Sequence, residues 1–184
     1  MIGKHEVTIK NRRLNYRFTL YRNITILRGD SATGKTTLIE MVEQYVRNGA
    51  SSGVEIICDR PCTVLLGMNW EMNLKMIRNS IVFIDEGAEY VRSKDFANAV
   101  QKSDNFYVIA TRDSLFNLPY SVKEIYGIRN KAGNKYQVTK RLYSEFYLLY
   151  DERMALRRPD TVIIEDSNSA YQVFKNVCQK EGIE

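Results

Sequence analysis

The chain has 184 residues, of which 44% are hydrophobic and 27% charged, and a formal net charge of +5. This length suits one ordinary domain with a substantial core, and no apolar run approaches the roughly 20 residues that span a bilayer. The first residues lack the apolar core of a signal peptide, and the three cysteines make neither an even disulfide framework nor a four-ligand metal set. We therefore expect a soluble, reduced, cytoplasmic protein with no membrane partner.

The first predicted elements are an antiparallel strand pair, a buried strand and a helix. Alternation over residues 5–10 and 14–20 predicts the pair, which a polar turn joins. The apolar, β-branched residues 23–28 predict the buried strand, and apolar spacing over residues 37–47 predicts the helix. Between strand and helix, residues 29–36 have the sequence Gly-Asp-Ser-Ala-Thr-Gly-Lys-Thr and match the phosphate-loop pattern G-x-x-x-x-G-K-S/T without a substitution.

This loop predicts binding of a nucleoside triphosphate, because a strand, a glycine loop and a helix bring backbone N–H groups and the positive helix end to one point. Glycine at positions 29 and 34 allows a close approach of phosphate that a Cβ would obstruct. Lys35 is expected to reach the β- and γ-phosphates, and the Thr36 hydroxyl to bind Mg²⁺. The strand and helix context disfavours a chance match in a surface turn. The predicted nucleotide-binding residues are Gly29, Asp30, Ser31, Ala32, Thr33, Gly34, Lys35, Thr36 and Thr37.

Strands and helices alternate through the middle of the chain. Further strands are predicted at residues 54–58, 63–66, 81–84 and 106–110. Helices are predicted at residues 70–78 and 89–101. This alternation predicts a mainly parallel sheet with helices on both faces.

An acidic pair, Asp85 and Glu86, follows the strand predicted at residues 81–84. Asp85 is expected to bind the metal, directly or through water, and Glu86 to act as the general base that orients the attacking water. An acidic turn after a strand is the structural alternative. The position of the pair, about fifty residues beyond a complete phosphate loop, favours the catalytic interpretation.

Thr111 and Arg112 follow the next predicted strand. We expect Thr111 to contact the γ-phosphate or the attacking water and Arg112 to stabilise charge. An ordinary exit from strand to loop explains the same residues equally well. In many such ATPases an arginine from a neighbouring subunit completes the site. Arg92 and Arg112 are the candidates for this role, in a homo-oligomer or in a complex with a partner protein.

Cys58 and Cys62 lie among apolar residues, so we expect two buried free thiols rather than metal ligands.

A basic hairpin is predicted over residues 123–142, with its turn at residues 132–134. Its cations are Lys123, Arg129, Lys131, Lys135, Lys140 and Arg141. Tyrosines lie among and beside them. This pattern suits binding of DNA or RNA, because aromatic side chains stack on bases while cations bind the phosphate backbone. A solvated, charged hairpin is the more ordinary alternative.

Residues 29–36, Asp85-Glu86 and Thr111 together resemble the P-loop ATPases with an added catalytic glutamate, the class that contains the ABC, RecA and AAA+ proteins. The resemblance covers about the first 115 residues and implies a three-layer P-loop NTPase domain over residues 1–150. No LSGGQ-like signature precedes Asp85, and Arg112 occupies the position where an ABC head usually has a histidine. ATP, rather than GTP, is implied by this resemblance.

The C-terminal residues 151–184 are predicted to add a strand at 161–164 and an amphipathic helix at 167–180. This segment resembles the start of a Toprim domain, in which Glu165 would be the metal-binding acid, and an ATPase followed by Toprim is the order in the overcoming-lysogenization-defect nucleases. The segment is therefore either a truncated Toprim-like start or a strand–helix extension of the sheet. The later Asp-x-Asp strand that completes such a metal site is absent from the sequence, which favours the extension.

The expected activity is Mg²⁺-dependent ATP hydrolysis, with Glu86, Lys35, Thr111 and Arg112 as catalytic residues and Thr36 and Asp85 as metal ligands. Coupling of this activity to nucleic acid is a further expectation. Two alternatives use the same loop. One is a nucleotide-gated DNA-binding or assembly module with little turnover, and the other is a small-molecule kinase.

Overall fold

The computed structural model describes residues 2–30, 33–131, 141–150 and 169–181. The chain divides into two compact units, residues 1–150 and 151–184. In the second unit the described element is helix α4, Ser169–Glu181, which confirms most of the predicted C-terminal helix. The predicted strand at 161–164 and Glu165 lie outside the described residues. No helix in the described part of the chain is long and apolar enough to cross a membrane.

The described strands of the first unit form one nine-stranded sheet in the order β4-β1-β2-β9-β8-β3-β7-β6-β5. The strands are β1 Ile2–Lys10, β2 Leu14–Arg22, β3 Ile24–Leu27, β4 Glu55–Ile57, β5 Cys62–Val64, β6 Ile81–Ile84, β7 Phe106–Ala110, β8 Ile125–Asn130 and β9 Leu142–Leu148.

The sheet is mixed, and its two halves have different pairing. Strands β8, β3, β7, β6 and β5 are parallel to their neighbours in that series, whereas β4, β1 and β2 pair antiparallel. Strand β9 joins the halves, since it runs parallel to β2 and antiparallel to β8. The predicted α/β class and the antiparallel N-terminal pair are therefore confirmed. The mainly parallel character holds for the half that carries the phosphate loop.

Helices pack on both faces of the sheet. Helix α1, Lys35–Asn48, shares one core with Ile81 and Phe83 of β6. Helices α2, Trp70–Met76, and α3, Lys94–Lys102, share a second core with the alternate residues Val82 and Ile84. All four β6 residues are fully buried, because successive side chains of a strand point to opposite faces and both faces are covered.

Helix α3 is shorter than the helix predicted over residues 89–101. Residues Glu89–Arg92 form a separate 3₁₀ turn. The Ser93 hydroxyl then accepts a hydrogen bond from the backbone N–H of Phe96 at 3.1 Å and caps the N-terminus of α3. A serine inside a periodic apolar pattern therefore marks a boundary rather than the interior of one helix.

The sheet is strongly curved, as its connections require. Strands β4 and β5 occupy its opposite edges, yet residues 58–61 alone connect them. Eight interstrand spacings of roughly 4.8 Å would separate the edges of a flat sheet by about 38 Å. The chain from Ile57 to Cys62 reaches at most about 18 Å. The two edges must therefore approach each other, and the sheet curves around α1, whose Leu38 and Val42 are fully buried.

The predicted basic hairpin corresponds to the antiparallel pair β8 and β9, with Arg129 opposite Glu145. The second strand begins at Leu142 and extends to Leu148, beyond the predicted end of the hairpin. The predicted turn at 132–134, together with Lys135 and Lys140, lies outside the described residues.

Candidate nucleotide site

Three neighbouring parallel strands carry the predicted site residues to one edge of the sheet. The phosphate loop follows β3, Thr111 follows β7, and Asp85 follows β6. Strand β7 pairs with β3 on one side and β6 on the other. Since these strands are parallel, their carboxyl ends meet at the same edge, and the structure brings the three segments together.

The chain leaves β3 and β7 toward opposite faces of the sheet. After β3 it enters α1, which belongs to the first core, and after β7 it enters the segment that buries Leu115 and Leu118 in the second core. Adjacent parallel strands whose connections diverge in this way leave a crevice outside their carboxyl ends, where open α/β sheets bind ligands. The phosphate loop and Thr111 border this crevice.

Lys35 lies folded against the phosphate loop. Its side chain is 5% exposed. Its Nζ donates hydrogen bonds to the carbonyl oxygens of Gly29 at 2.7 Å and Asp30 at 2.9 Å, and to Thr33 Oγ1 at 3.2 Å. These partners satisfy an ammonium group that burial would otherwise penalise. A nucleotide phosphate in the loop would offer the same group a stronger, charged acceptor. Ser31 and Ala32 lie outside the described residues.

Gly34 forms the junction between the loop and α1. Its φ is +93°, in the left-handed region that favours glycine, and it is the N-cap residue of the helix. The Tyr16 hydroxyl of β2 donates a hydrogen bond to the Gly34 carbonyl oxygen at 3.2 Å. A Cβ on Gly34 would lie 2.8 Å from that hydroxyl oxygen. Burial raises the pKa of Tyr16, which keeps the hydroxyl protonated and able to donate.

The predicted metal ligands are near each other. Thr36 Oγ1 lies 3.4 Å from Asp85 Oδ1, and that same carboxylate oxygen accepts a hydrogen bond from the backbone N–H of Glu86 at 2.8 Å. Mg²⁺ takes hard oxygen ligands, usually one or two from the protein together with phosphate oxygens and water. The Thr36 hydroxyl and the Asp85 carboxylate fit this donor set. Within the described ranges, no group of three or more His, Cys, Asp or Glu side chains is arranged to hold a metal ion.

Glu86, which follows β6, and Arg112, which follows β7, form an ion pair between Glu86 Oε1 and Arg112 Nε. Sequence reasoning selected both residues but did not predict their contact. Thr111 is 5% exposed, and its Oγ1 accepts a hydrogen bond from the Asp113 backbone N–H at 3.0 Å. The two residues after β7 thus differ, because Thr111 is fixed by the loop whereas the Arg112 side chain is 59% exposed and reaches Glu86.

Two further arginines contact the loop after β7, and sequence reasoning missed the first of them, Arg28. Arg28, directly before the loop, donates through Nη2 to the Asp113 carbonyl oxygen at 2.9 Å and to Ser114 Oγ at 3.1 Å. Arg92 pairs with the Asp113 carboxylate. Arg92, one of the two arginines considered for a neighbouring subunit, therefore contacts the loop after β7 of its own chain. No local sequence signal indicates these contacts, since they join segments far apart in the chain.

Two of the described cations of the basic stretch, Arg129 and Lys131, share one carboxylate. Glu145 receives Arg129 at 2.9 Å and Lys131 at 2.8 Å. Hydrogen bonds and charge from Lys131 and Arg129 hold the pKa of Glu145 below its usual range. The Arg129 guanidinium also lies 5.2 Å from the centroid of the Tyr147 ring, in a cation–π contact.

Comparisons with protein-family models and with curated proteins gave no match for this chain. The functional interpretation therefore rests on the geometry described above.

Proposed function

We propose that this protein is a Mg²⁺-dependent ATPase with a P-loop NTPase domain in residues 1–150. The observation that supports this function best is the meeting of a complete phosphate loop, Asp85, Glu86 and Thr111 at the carboxyl ends of three adjacent parallel strands. The helices on both faces of the curved sheet are consistent with a three-layer NTPase domain. ATP is preferred over GTP on the family resemblance.

In the proposed mechanism, the chain's own residues position the γ-phosphate and a water molecule. The loop amides and Lys35 bind the phosphates, and Lys35 exchanges its loop carbonyl partners for phosphate oxygens. Thr36 and Asp85 would hold Mg²⁺, which supplies charge neutralisation of the β- and γ-phosphates when bound. Thr111, which follows β7, would contact the γ-phosphate or the attacking water.

Glu86 accepts a proton from the attacking water as the β–γ phosphoanhydride bond breaks, giving ADP and phosphate. The Arg112 guanidinium, now paired with Glu86, lies beside the place where negative charge develops on the transferred phosphoryl group. Because both members of this pair belong to one chain, we assign Arg112 to the site of its own subunit.

The decisive experiment compares phosphate release and ATP binding in wild type, Glu86→Gln and the matched control Glu89→Gln. Glu89 is an exposed acid in the 3₁₀ turn after β6. Glu89→Gln therefore removes the same single negative charge at a position outside the proposed site. Glu86→Gln is expected to bind ATP normally and to lose about 10²- to 10⁴-fold in turnover, the usual contribution of a general base. Glu89→Gln is expected to resemble wild type. Wild-type turnover by Glu86→Gln would refute the assignment of the base.

Coupling to nucleic acid is part of the proposal, through the basic stretch 123–142. The support is the Arg129–Tyr147 contact on β8 and β9, which combines a cation with an aromatic face. Double-stranded DNA and RNA are therefore added to the turnover assay at several salt concentrations. Stimulation that declines with salt would support coupling. Tight ATP binding with no turnover in any condition would favour the nucleotide-gated module, and ATP-dependent phosphorylation of an added acceptor would favour the kinase.

A further inference from the structure

The first unit includes two features that the proposed function does not use. One is the pair of free cysteines beside the connection from β4 to β5, Cys58 and Cys62. Both are half-buried, so the prediction of fully buried thiols was wrong. Each thiol donates within that connection, to Asp59 Oδ1 at 3.3 Å and to the Arg60 carbonyl oxygen at 3.9 Å, and neither points to a ligand. The other feature is a cavity beside the phosphate loop, and it has the character of a ligand site.

The cavity lies between Arg28, at the end of β3, and the loop after β7. Its volume is about 370 Å³, which is within the usual range for small-molecule pockets. Most of its lining is apolar or aromatic, and Arg28 is the one charged residue among the described residues that line it. The side chains that matter below are Arg28, Phe116, Leu118, Tyr120, Ile125 and Tyr150.

Main-chain hydrogen bonds bring three strand ends to this cavity. The backbone N–H of Arg28 donates to the Tyr126 carbonyl oxygen at 2.8 Å, and that of Leu149 donates to the Ile125 carbonyl oxygen at 3.1 Å. The ends of β3 and β9 therefore lie beside the start of β8, and Tyr150 follows directly. The cavity thus opens at the same edge of the sheet as the phosphate loop.

Phe116 is 93% exposed on a loop that is otherwise fixed. Its neighbour Leu115 is buried in the second core, and the Leu115 backbone N–H donates to the Tyr120 hydroxyl oxygen at 3.1 Å. On the other side, Asn117 Nδ2 donates to the Arg92 carbonyl oxygen at 2.6 Å. The phenyl ring therefore projects from an anchored segment. An aromatic ring left in water gains free energy when a flat, apolar partner covers it.

Tyr150 is the second exposed ring at the cavity, with 51% of the residue accessible. The cavity therefore offers two accessible aromatic rings and no carboxylate among its described lining residues. Such a surface suits a flat, uncharged ring better than a phosphate or a metal ion, because aromatic faces stack on bases of every kind.

The position of Arg28 indicates which molecule carries this ring. Arg28 lines the cavity and directly precedes Gly29, the first residue of the phosphate loop. A nucleotide with its phosphates on residues 29–36 must direct its ribose and base away from the loop. The crevice outside the carboxyl ends of β3 and β7 leads from the loop to the cavity, since the cavity is bounded by the segments that follow these two strands.

We propose that this cavity holds the base of the bound nucleotide, with the base stacked on Phe116 and bordered by Tyr150. The inference rests on the proposed nucleotide binding and adds the base site to it. Because stacking is available to every base, Phe116 contributes affinity for the nucleoside part and does not itself select ATP over GTP.

The test uses isothermal titration of the full chain, in the presence of Mg²⁺, with ATP and with inorganic tripolyphosphate, which has the phosphate chain without ribose or base. Phe116→Ala should weaken ATP binding about 5- to 100-fold, as expected for loss of one base–aromatic stack, and leave tripolyphosphate binding unchanged. Tyr150→Ala should shift ATP binding in the same direction. Phe116→Tyr should bind ATP like wild type, because it keeps the aromatic face.

Met76→Ala is the matched control, since it also removes an exposed apolar side chain. Met76 ends α2 at the opposite edge of the sheet, where the next residue, Ile77, accepts a hydrogen bond from Asn105, directly before β7. Its substitution should leave the binding of both ligands unchanged.

The inference is overturned if Phe116→Ala binds ATP like wild type, or if it weakens tripolyphosphate as much as ATP, which would indicate a displaced loop. It is also overturned if the wild-type chain binds tripolyphosphate as tightly as ATP, or binds no ATP. Phosphate release, measured alongside, separates this inference from the proposed activity. ATP affinity that depends on Phe116 without phosphate release would support the base site and refute hydrolysis, and phosphate release with an affinity independent of Phe116 would do the reverse.

Discussion

The contact between Gly34 and Tyr16 allows a quantitative test of how the phosphate loop is held. An alanine at position 34 meets two separate costs. The first is conformational, because φ at Gly34 is +93°, and an L-residue in the left-handed region costs about 1–2 kcal/mol. The second is steric, because the new Cβ would lie 2.8 Å from the Tyr16 hydroxyl oxygen. Moving that hydroxyl breaks its hydrogen bond to the Gly34 carbonyl, at about 1 kcal/mol.

Gly53 supplies the matched control for this test. Its φ is +71°, also left-handed, but no atom lies within 4 Å of an added Cβ. Gly53→Ala is therefore expected to cost only the conformational part, about 1–2 kcal/mol, and Gly34→Ala about 2–3 kcal/mol. At about 2–4 °C per kcal/mol for a chain of this size, the two variants should differ by about 2–4 °C in Tm.

The assay is urea denaturation and calorimetry of nucleotide-free protein, in wild-type and Tyr16→Phe backgrounds. Without the hydroxyl, Gly34→Ala should cost no more than Gly53→Ala, which gives a coupling free energy of about 1 kcal/mol between positions 16 and 34. Equal costs for both alanine variants in the wild-type background would refute the reasoning. So would a cost of Gly34→Ala that does not depend on Tyr16. Gly34→Ala should also weaken ATP binding, whereas Gly53→Ala should not.

Two further predictions concern ion pairs. Arg112→Gln should change the free energy of unfolding by less than about 1 kcal/mol, because its pair with Glu86 is largely exposed, yet reduce ATP turnover by about 10²-fold if the guanidinium stabilises the transferred phosphoryl group. Denaturation and phosphate release measure the two effects, and unchanged turnover would leave Arg112 a surface partner only. Glu145→Gln should destabilise the protein by up to about 1 kcal/mol at pH 7, because the neighbouring lysine and arginine depress the pKa of the carboxyl in the folded state. That stabilisation is present above the unfolded pKa of about 4.3 and is lost as pH falls through the lower folded pKa, so the difference between variant and wild type should shrink as the pH is lowered from 7 toward 3. An equal difference in urea denaturation at pH 7 and pH 3 would contradict this origin.

The parts of the fold that the sequence predicted well are those determined by local pattern. Strands β6 and β7 match the predicted residues 81–84 and 106–110, because each is a continuous apolar run that a sheet covered on both faces requires. The split of the predicted helix at Ser93 was missed because the apolar spacing continues through a capping residue. The order of strands and the curvature depend on pairings between distant segments, such as β2 with β9, which no local pattern encodes.

In the candidate site, too, some features follow from local sequence pattern and others depend on contacts between distant segments. The meeting of the phosphate loop with Asp85 and Thr111 was predictable, since parallel strands place the residues that follow them at one edge of the sheet. The ion pair between Glu86 and Arg112 and the contact between Tyr16 and Gly34 were not. The first joins residues that follow the neighbouring strands β6 and β7, and the second joins β2 to the N-terminus of α1, so both depend on side-chain reach in the folded protein.

The position of β9 has a consequence for the synthesis of this protein. Among the described strands, β9 alone pairs with both the antiparallel group β4-β1-β2 and the group that carries the phosphate loop, and it is the last of the nine in the chain. On the ribosome, both groups therefore emerge before the strand that joins them. Until Leu142–Leu148 leaves the exit tunnel, β2 and β8 each expose an unpaired edge. The nascent chain thus passes through a stage in which these edges are open to chaperones or to other chains, and this stage ends when β9 inserts between them.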